Sequence, residues 1–286
     1  MQPLYRIRSL RRPVLAALRR MNLGDVRIKH HYTGLPLQLH SYRHKGYWYH
    51  GRRRERETVE LYMFLVRPGQ VVLEAGANIG YQTQIFSQMV GASGQVVAFE
   101  PDIINLPYLM RNTTPCRNVV VEHVALSDCE GEGTIYVDTL TGQNSSLVAG
   151  FDVFRTNRAR AYDDRATVIP TAVAQTTLDR YLERRRISPD FLKIDVEGGE
   201  LRLLQGAQSL VERHRPVLMV EIQPDNAAEV AELLSGHGYV PLPARSVAYA
   251  PTDGRPTGNT FFLHAEHHHR QLRNLPAWGA LRRFLP

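Results

Sequence analysis

Short apolar runs alternate with longer amphipathic stretches through residues 61–264. Gln70-Val-Val-Leu-Glu74 is an apolar run closed by Gly76, the pattern of a buried strand. Ile79 to Val90 has helical length and is broken by Gly91 and Gly94. The alternation repeats: strand at Gln95–Glu100, helix at Asp102–Asn112 with Pro101 ahead of its first turn, strand at Asn118–Glu122. Glu132–Asp138 reads as a strand, and 139–175 shows no regular period. Regularity returns with a helix at Thr177–Arg186, capped by Thr176 or Thr177, and a strand at Asp190–Asp195. A helix at Gly199–His214, a strand at Pro216–Glu221 and a helix at Asp225–Ser235 follow, and Tyr239–Ala250 and Thr260–His264 read as two closing strands. Strands alternating with helices predict an α/β fold, a Rossmann-like sheet that is mainly parallel and covered on both faces, with a hairpin-like ending that adds an antiparallel C-terminal edge strand.

Composition adds little to this picture, but charge adds more. The chain has 286 residues, 43% hydrophobic and 22% charged, as expected of a globular protein with ample core. No run approaches the ~20 apolar residues of a membrane span. The longest early apolar stretch, Pro13 to Leu18, is short and ends in Arg19-Arg20, which does not suit a secretory signal. Two cysteines, Cys116 and Cys129, make no disulfide framework, so the cytoplasm is the expected location. Residues 1–60 hold 14 Lys and Arg against 4 Asp and Glu, and residues 265–286 hold 4 against 1. The remaining 61–264 hold 17 against 23, so the surplus of positive charge belongs to the ends. This divides the chain into a basic N-terminal extension of β and helical character (1–56), an acidic α/β domain (57–264) and a basic tail (265–286), and argues against a nucleic-acid-binding core.

In open α/β sheets the ligand lies beyond the carboxyl ends of the strands, so strand-ending residues carry the chemistry. The first such turn is Glu74-Ala-Gly-Ala-Asn-Ile-Gly80, whose glycines let the backbone turn sharply and approach a ligand. Glu100 ends the second strand, twenty residues after Gly80, where a carboxylate can accept hydrogen bonds from two ribose hydroxyls. A dinucleotide fingerprint has Gly-x-Gly-x-x-Gly to cradle a pyrophosphate. Here the spacing is Gly76-x-x-x-Gly80 with Glu74 two residues ahead, which repels phosphate and suits the ammonium of S-adenosylmethionine (SAM). An NAD(P)-dependent oxidoreductase is the nearest alternative, and the spacing counts against it.

At these residues the sequence resembles the FkbM-type family of SAM-dependent methyltransferases. Glu74-Ala-Gly-Ala-Asn-Ile-Gly80, Val97-Ala-Phe-Glu-Pro101, Ala125-Leu-Ser-Asp128, Ser145-Ser-Leu147, Thr177-Leu-Asp179 and Leu192-Lys-Ile-Asp-Val-Glu-Gly198 carry the likeness, over about residues 57–222. The resemblance implies a class I methyltransferase sheet, SAM as cofactor and O-methylation of a hydroxyl on a sugar, glycan or small metabolite. It implies that Glu74, Gly76, Ala77, Asn78 and Gly80 surround the methionine end of SAM, Glu100 the ribose and Asp128 the adenine. Glu74 departs from the family, which more often has Asp there.

Methyl transfer to a hydroxyl requires alignment, exclusion of water and removal of a proton. Phe191, Lys193, Asp195 and Glu197 share one side of the fourth strand by period-two alternation, and charged groups there are costly to bury without purpose. Asp195 is expected beside SAM, positioning the acceptor hydroxyl, with Glu197 helping to deprotonate it. Lys193 would hold the carboxylates or stabilise the nascent alkoxide, or else brace the sheet through salt bridges to Asp195 and Glu221. His44, His50 and His123 are alternative bases. Asp195 and Glu221 on adjacent strand ends could ligate Mg²⁺, but no ligand-spaced motif asks for it, and no metal site is assigned, His267-His-His269 included. Tyr42 to Tyr49, followed by Arg52-Arg-Arg54, is either a substrate lid or a hairpin over the core; Ser145-Ser146 is a second candidate for the acceptor rim. Val14–Leu18 and Leu275–Leu285 are basic amphipathic segments that either pack on the protein or touch an anionic membrane surface. Against a nucleic-acid methyltransferase, the Asn/Asp-Pro-Pro-aromatic loop of amino-methylating types is replaced by Asp195-Val-Glu-Gly198.

Overall fold

The computed structural model describes residues 20, 22–139, 142–150, 167–243 and 257–274. Val14–Leu18, residues 140–141 and 151–166 of the irregular 139–175 segment, and the tail at Leu275–Leu285 lie outside the described residues. The chain opens with an antiparallel hairpin of β1 (Asp25–Lys29) and β2 (Pro36–His40). Helix α1 (Lys45–His50), a short 3₁₀ turn at Gly51–Arg53 and α2 (Arg56–Leu65) follow. The aromatic stretch Tyr42–Tyr49 is therefore mostly turn and helix, not a hairpin, because the hairpin is completed upstream of it.

The strands β3 (Val71–Ala75), β4 (Gln95–Phe99), β5 (Val119–Glu122), β9 (Phe191–Ile194), β10 (Val217–Ile222), β11 (Tyr239–Pro243) and β12 (Gly258–His264) form one seven-stranded sheet. Its order is β11-β12-β10-β9-β3-β4-β5, and every neighbouring pair from β10 to β5 is parallel. This is a Rossmann-like α/β sheet whose strand order reverses between β9 and β3. The antiparallel strand β12 lies one place in from the edge, between β10 and β11. Its Phe261, Phe262 and Leu263 are all buried, which requires cover on both faces, and β11 takes the edge.

Two cores flank the sheet. On one face Val72, Phe191 and Met219 pack with Tyr62 of α2, Phe86 of α3 (Tyr81–Val90) and Leu37 and Leu39 of the hairpin. On the other, Leu73, Leu192, Ile194 and Val220 pack against α5 (Leu178–Arg185), α6 (Glu200–Gln205) and α7 (Ala227–Gly236). The alternation of Phe191 and Leu192 onto opposite cores is the period-two pattern of a central strand. The predicted helix at Gly199–His214 is interrupted: α6 ends at Gly206 and the chain resumes as a π-helical turn, Leu210–His214. Helix α4 (Leu106–Thr113) starts four residues later than the sequence suggests, after the Pro101–Asn105 turn.

A smaller sheet, β6 (Ala125–Leu126), β8 (Val168–Thr176) and β7 (Gly131–Asp138), sits beside the main one. Strand β8 falls where no regular period was expected. Pro170 interrupts its pattern and most of its side chains are exposed, so it lacks the apolar alternation of a half-buried strand. Among the described residues no helix is long and apolar enough to cross a membrane.

Candidate active site

The carboxyl ends of β3, β4, β9 and β10 open into one cleft. It is lined by Gly76, Asn78 and Glu100 on one side, and Asp195, Glu197 and Glu221 on the other. The turn after β3 makes this possible. Gly76 has φ +77°, and a Cβ placed on it would come 1.8 Å from the carbonyl oxygen of Asp195. Only a glycine lets the β3 and β9 ends approach so closely. Asn78 follows at φ +51°, a left-handed conformation that asparagine tolerates, and Gly80 at φ +83° leads into α3.

Glu100 stands at the end of β4 across from this turn. Its carboxylate accepts from the backbone amides of Asn78 (2.6 Å) and Asp102 (2.9 Å). Those bonds do not offset its burial and the neighbouring Asp102, which together push its pKa to about 8. A buried carboxyl without an ion-pair partner among the described residues, facing an open cleft, fits the hydroxyl pair of a ribose.

The ends of β3 and β9 carry a buried ionic network. Lys193 Nζ donates to the Gly76 carbonyl at 2.9 Å and lies 3.5 Å from Glu74 and 3.2 Å from Asp195. Burial opposes its charge, but Asp195 and Glu74 outweigh that and hold its pKa above the ordinary value. Glu74 is fully buried; its other oxygen accepts from Thr83 Oγ1 at 2.6 Å, and burial raises its pKa to about 6 despite Lys193. Glu74 thus faces Lys193 and the α3 helix, and neither it nor Lys193 is among the cleft-lining side chains. Asp195 does line the cleft. Burial disfavours its charge, yet Lys193 and a hydrogen bond with Glu221 keep its pKa below the ordinary range. Asp195 repels charge from Glu221, and burial adds to that, so Glu221 keeps its proton well above the usual pH. Glu197 behaves likewise, from burial first and Asp195 second.

Carboxylate oxygens of Asp195, Glu197 and Glu221 lie within 4.8 Å of one another, close enough to share a divalent ion. Glu197 sits at φ +53°. Its turn is held from both sides: Ser146 Oγ donates to the Glu197 carbonyl at 2.6 Å, and the Gly198 amide donates to buried Glu200 at 2.9 Å. Ser145 Oγ donates to Asp102 at 2.6 Å, so the Ser145-Ser146 pair pins the rim to both the β4 and β9 ends. The remaining wall comes from the N-terminal segment. Tyr47 donates to Asn78 Oδ1 at 3.1 Å, and Asn78 Nδ2 donates to the Gly142 carbonyl at 2.9 Å. Arg54 stacks on the Tyr47 ring at 4.3 Å and pairs with Glu55 at 3.1 Å.

The structure therefore brings Gly76, Ala77, Asn78, Gly80, Glu100, Asp195 and Glu197 to one end of the sheet. Asp128 stands apart: it is partly exposed, pairs with Arg202 at 2.8 Å, and does not line the cleft. That hydrogen-bonded pairing lowers its pKa to about 2. Its neighbours Ala125 and Leu126 do line the cleft, as apolar wall. No described histidine lines it. His44 is fully buried against Tyr47 and Tyr108, and His123 contacts the Pro101 carbonyl at 3.2 Å. Glu55 and Glu221 are the lining carboxylates missing from the expected catalytic and cofactor-binding set. Glu221 was legible as a strand end. Glu55 sits among arginines, and nothing in the sequence shows that φ +51° turns it inward.

These shifts set a pH dependence. Between pH 6.5 and about 8 the buried carboxyls with raised pKa values, Glu100 foremost, keep protons that the unfolded chain has lost. Their stabilising contribution is full below the unfolded pKa of 4.5 and is lost as pH rises through the folded value. The cofactor-free protein is expected to melt at a lower temperature at pH 8.5 than at pH 6.5, and Glu100→Gln to flatten that slope. Melting scans at fixed ionic strength test it; a wild-type midpoint that rises over this interval would overturn it. On the acid side His30, His44 and His268, lowered by burial to about 4, 3 and 4, act in the opposite sense.

The family model of the methyltransferase FkbM domain matches residues 74–241, more than half of the chain. Among solved structures the chain is similar to methyltransferase FkbM from Methylobacillus flagellatus KT, with 17% identity and a TM-score of 0.45. The match covers 71% of this chain and 50% of that one, so it spans half the length of that protein. It is also similar to a SAM-dependent O-methyltransferase from Thermotoga maritima (11% identity, 73% of this chain and 63% of that one, TM-score 0.42). Fibrillarin from Aeropyrum pernix, solved with natively bound S-adenosyl-L-methionine, matches at 10% identity over 72% of this chain and 73% of that one, with a TM-score of 0.41. No curated protein matches the chain.

Proposed function

The chain belongs to the family defined by the methyltransferase FkbM domain, and from that premise we propose that it is a SAM-dependent O-methyltransferase acting on a hydroxyl of a sugar, glycan or small metabolite. The observation that carries this reading is the pairing, in one cleft, of Glu100 beside the Gly76–Gly80 turn with the Asp195–Glu197–Glu221 cluster. When bound, SAM supplies an electrophilic methyl group on a sulfonium. The residues of the chain bind, orient and take up the proton. Glu100 would hold the ribose hydroxyls, and Gly76, Ala77 and Asn78 would line the methionine end. Ala125 and Leu126 offer apolar contact for the adenine, the part in which Asp128 was expected.

Asp195, which stays ionised beside Lys193, would orient the acceptor hydroxyl by accepting its hydrogen bond, and Glu197, once it has released its own proton, would help to take up that of the hydroxyl. Lys193 stays charged beneath Asp195 and fixes its orientation; it does not line the cleft, so its role is to position. The cluster could also take a divalent ion, for which hydroxyl-rich acceptors are natural co-ligands.

Methyl transfer from labelled SAM into a panel of glycans and metabolites, with mass spectrometry locating the product, tests the reading. NADH binding without SAM binding would overturn it. Glu100→Gln is expected to weaken SAM binding roughly tenfold, because a donor NH₂ replaces one of the two oxygens that would face the ribose hydroxyls. Calorimetry on the variant checks this, and unchanged affinity would remove Glu100 from the cofactor site.

A further inference from the structure

Arg54 lines the cleft with donor capacity to spare. Its side chain is 24% exposed, so it is neither sealed in the core nor free on the surface. Glu55 takes one donor, Nη2, at 3.1 Å, and the Tyr47 ring takes one face of the guanidinium at 4.3 Å. The Nε–H is buried and meets no hydrogen-bond acceptor among the described residues. A buried donor on a charged group is costly to leave unpaired, and in a binding cleft a ligand acceptor accounts for it.

We propose that Arg54 receives the α-carboxylate of the methionine moiety of SAM, so that a residue upstream of the family domain completes the cofactor site. The proposal rests on SAM as the cofactor and adds the residue that holds its anionic end.

Three neighbours fix the guanidinium. Tyr47 underlies it, Glu55 pairs with it, and Gly46 leaves room for it, since a Cβ there would come 3.1 Å from Nη1. Glu55 is itself held, because the Gln82 amide donates to its other oxygen. Burial opposes the charge on Arg54, but Glu55 outweighs it, with Tyr47, Asp195 and Glu221 adding to the effect, so its pKa is held above the ordinary value. The position points to the cofactor. Tyr47 donates to Asn78 Oδ1 at 3.1 Å, which ties the Arg54 seat to the Gly76–Gly80 turn, the part of the cleft assigned to the methionine end. The chemistry agrees: a carboxylate is planar with two acceptor oxygens, and a guanidinium presents parallel N–H donors, so two bonds can form together. Lys193, the buried cation at the strand ends, is committed to Gly76, Glu74 and Asp195 and does not line the cleft.

The test titrates the full chain by calorimetry with SAM and with decarboxylated SAM, which lacks the carboxylate but keeps the sulfonium, the amine and the adenosine. Wild type is expected to bind SAM about tenfold tighter than the decarboxylated form. Arg54→Gln is expected to lose about tenfold in affinity for SAM and little for decarboxylated SAM, which closes the gap between the two. Arg54→Lys keeps a charge beside Glu55 but not the planar fork; it is expected to narrow the gap in part, and it stands in if Arg54→Gln does not fold. A residue that only braced the wall would weaken both ligands alike. A gap that is the same in the variants as in wild type therefore overturns the proposal. So does a gap kept in full while carboxylated acceptors alone lose affinity, which would assign Arg54 to the acceptor. Failure of wild type to bind either form of SAM overturns the SAM reading together with the proposal.

Discussion

Asp195→Asn is expected to lower the turnover number by about 10²–10⁴-fold, the range for losing a group that positions and helps deprotonate a nucleophile, with SAM affinity changed far less. The side chain ends β9, faces the cleft, and lies 3.2 Å from Lys193. Asparagine keeps the shape and one hydrogen-bond acceptor but removes the charge that holds the cluster in order. Without it, Glu221 loses the neighbour that raises its pKa, and Lys193 loses one of its two anionic partners. The pH profile should therefore shift together with the rate. Single-turnover kinetics with saturating SAM, paired with calorimetry, separate the two effects. Normal turnover by a variant that binds SAM would refute the role given to Asp195.

Lys193→Met carries the largest expected cost in stability. Lys193 is almost wholly buried, and its removal strands Glu74, which is fully buried, and Asp195. Breaking a buried ion pair by removing one partner costs about 3–5 kcal/mol, because the other charge remains without compensation. For a chain of this size that corresponds to a fall of roughly 6–20 °C in melting temperature. The double variant Lys193→Met with Glu74→Gln should recover part of the loss, since the stranded carboxylate is gone. A lone Lys193→Met protein that melts within ~2 °C of wild type would show that the network contributes little. This experiment also separates bracing from chemistry. If the double variant is stable and still turns over, Lys193 acts through structure alone.

The parallel part of the central sheet was legible because its strands are compact apolar runs with a glycine or a carboxylate at or next to their ends. β3, β4, β9 and β10 all lie within one residue of the spans read from the pattern. The strand-end rule then found Glu100, Asp195, Glu197 and Glu221 without knowledge of the contacts. Strand β8 was hidden because it lacks apolar alternation and is paired chiefly through backbone bonds to β7. The place of β12 was hidden because strand order depends on which edge is left open. Glu74 shows another limit. Its position in the loop was plain, but its direction was set by Thr83 and Lys193, each brought there by tertiary packing. Asp128 is the same case with Arg202, a partner 74 residues away. Residue type and spacing announce a carboxylate, but not which neighbour it answers to.

The hydrogen bond from Tyr47 to Asn78 has a consequence for how the molecule is divided. The shared family domain begins at residue 74, yet the cleft is closed by Tyr47, Arg54 and Glu55, all upstream of it. A chain trimmed to the family boundary would lose a wall of the cleft, not a dispensable leader. Asn78 would then hold its left-handed backbone with its side-chain oxygen unclaimed. Part of the cleft wall thus belongs to sequence that the domain boundary leaves out.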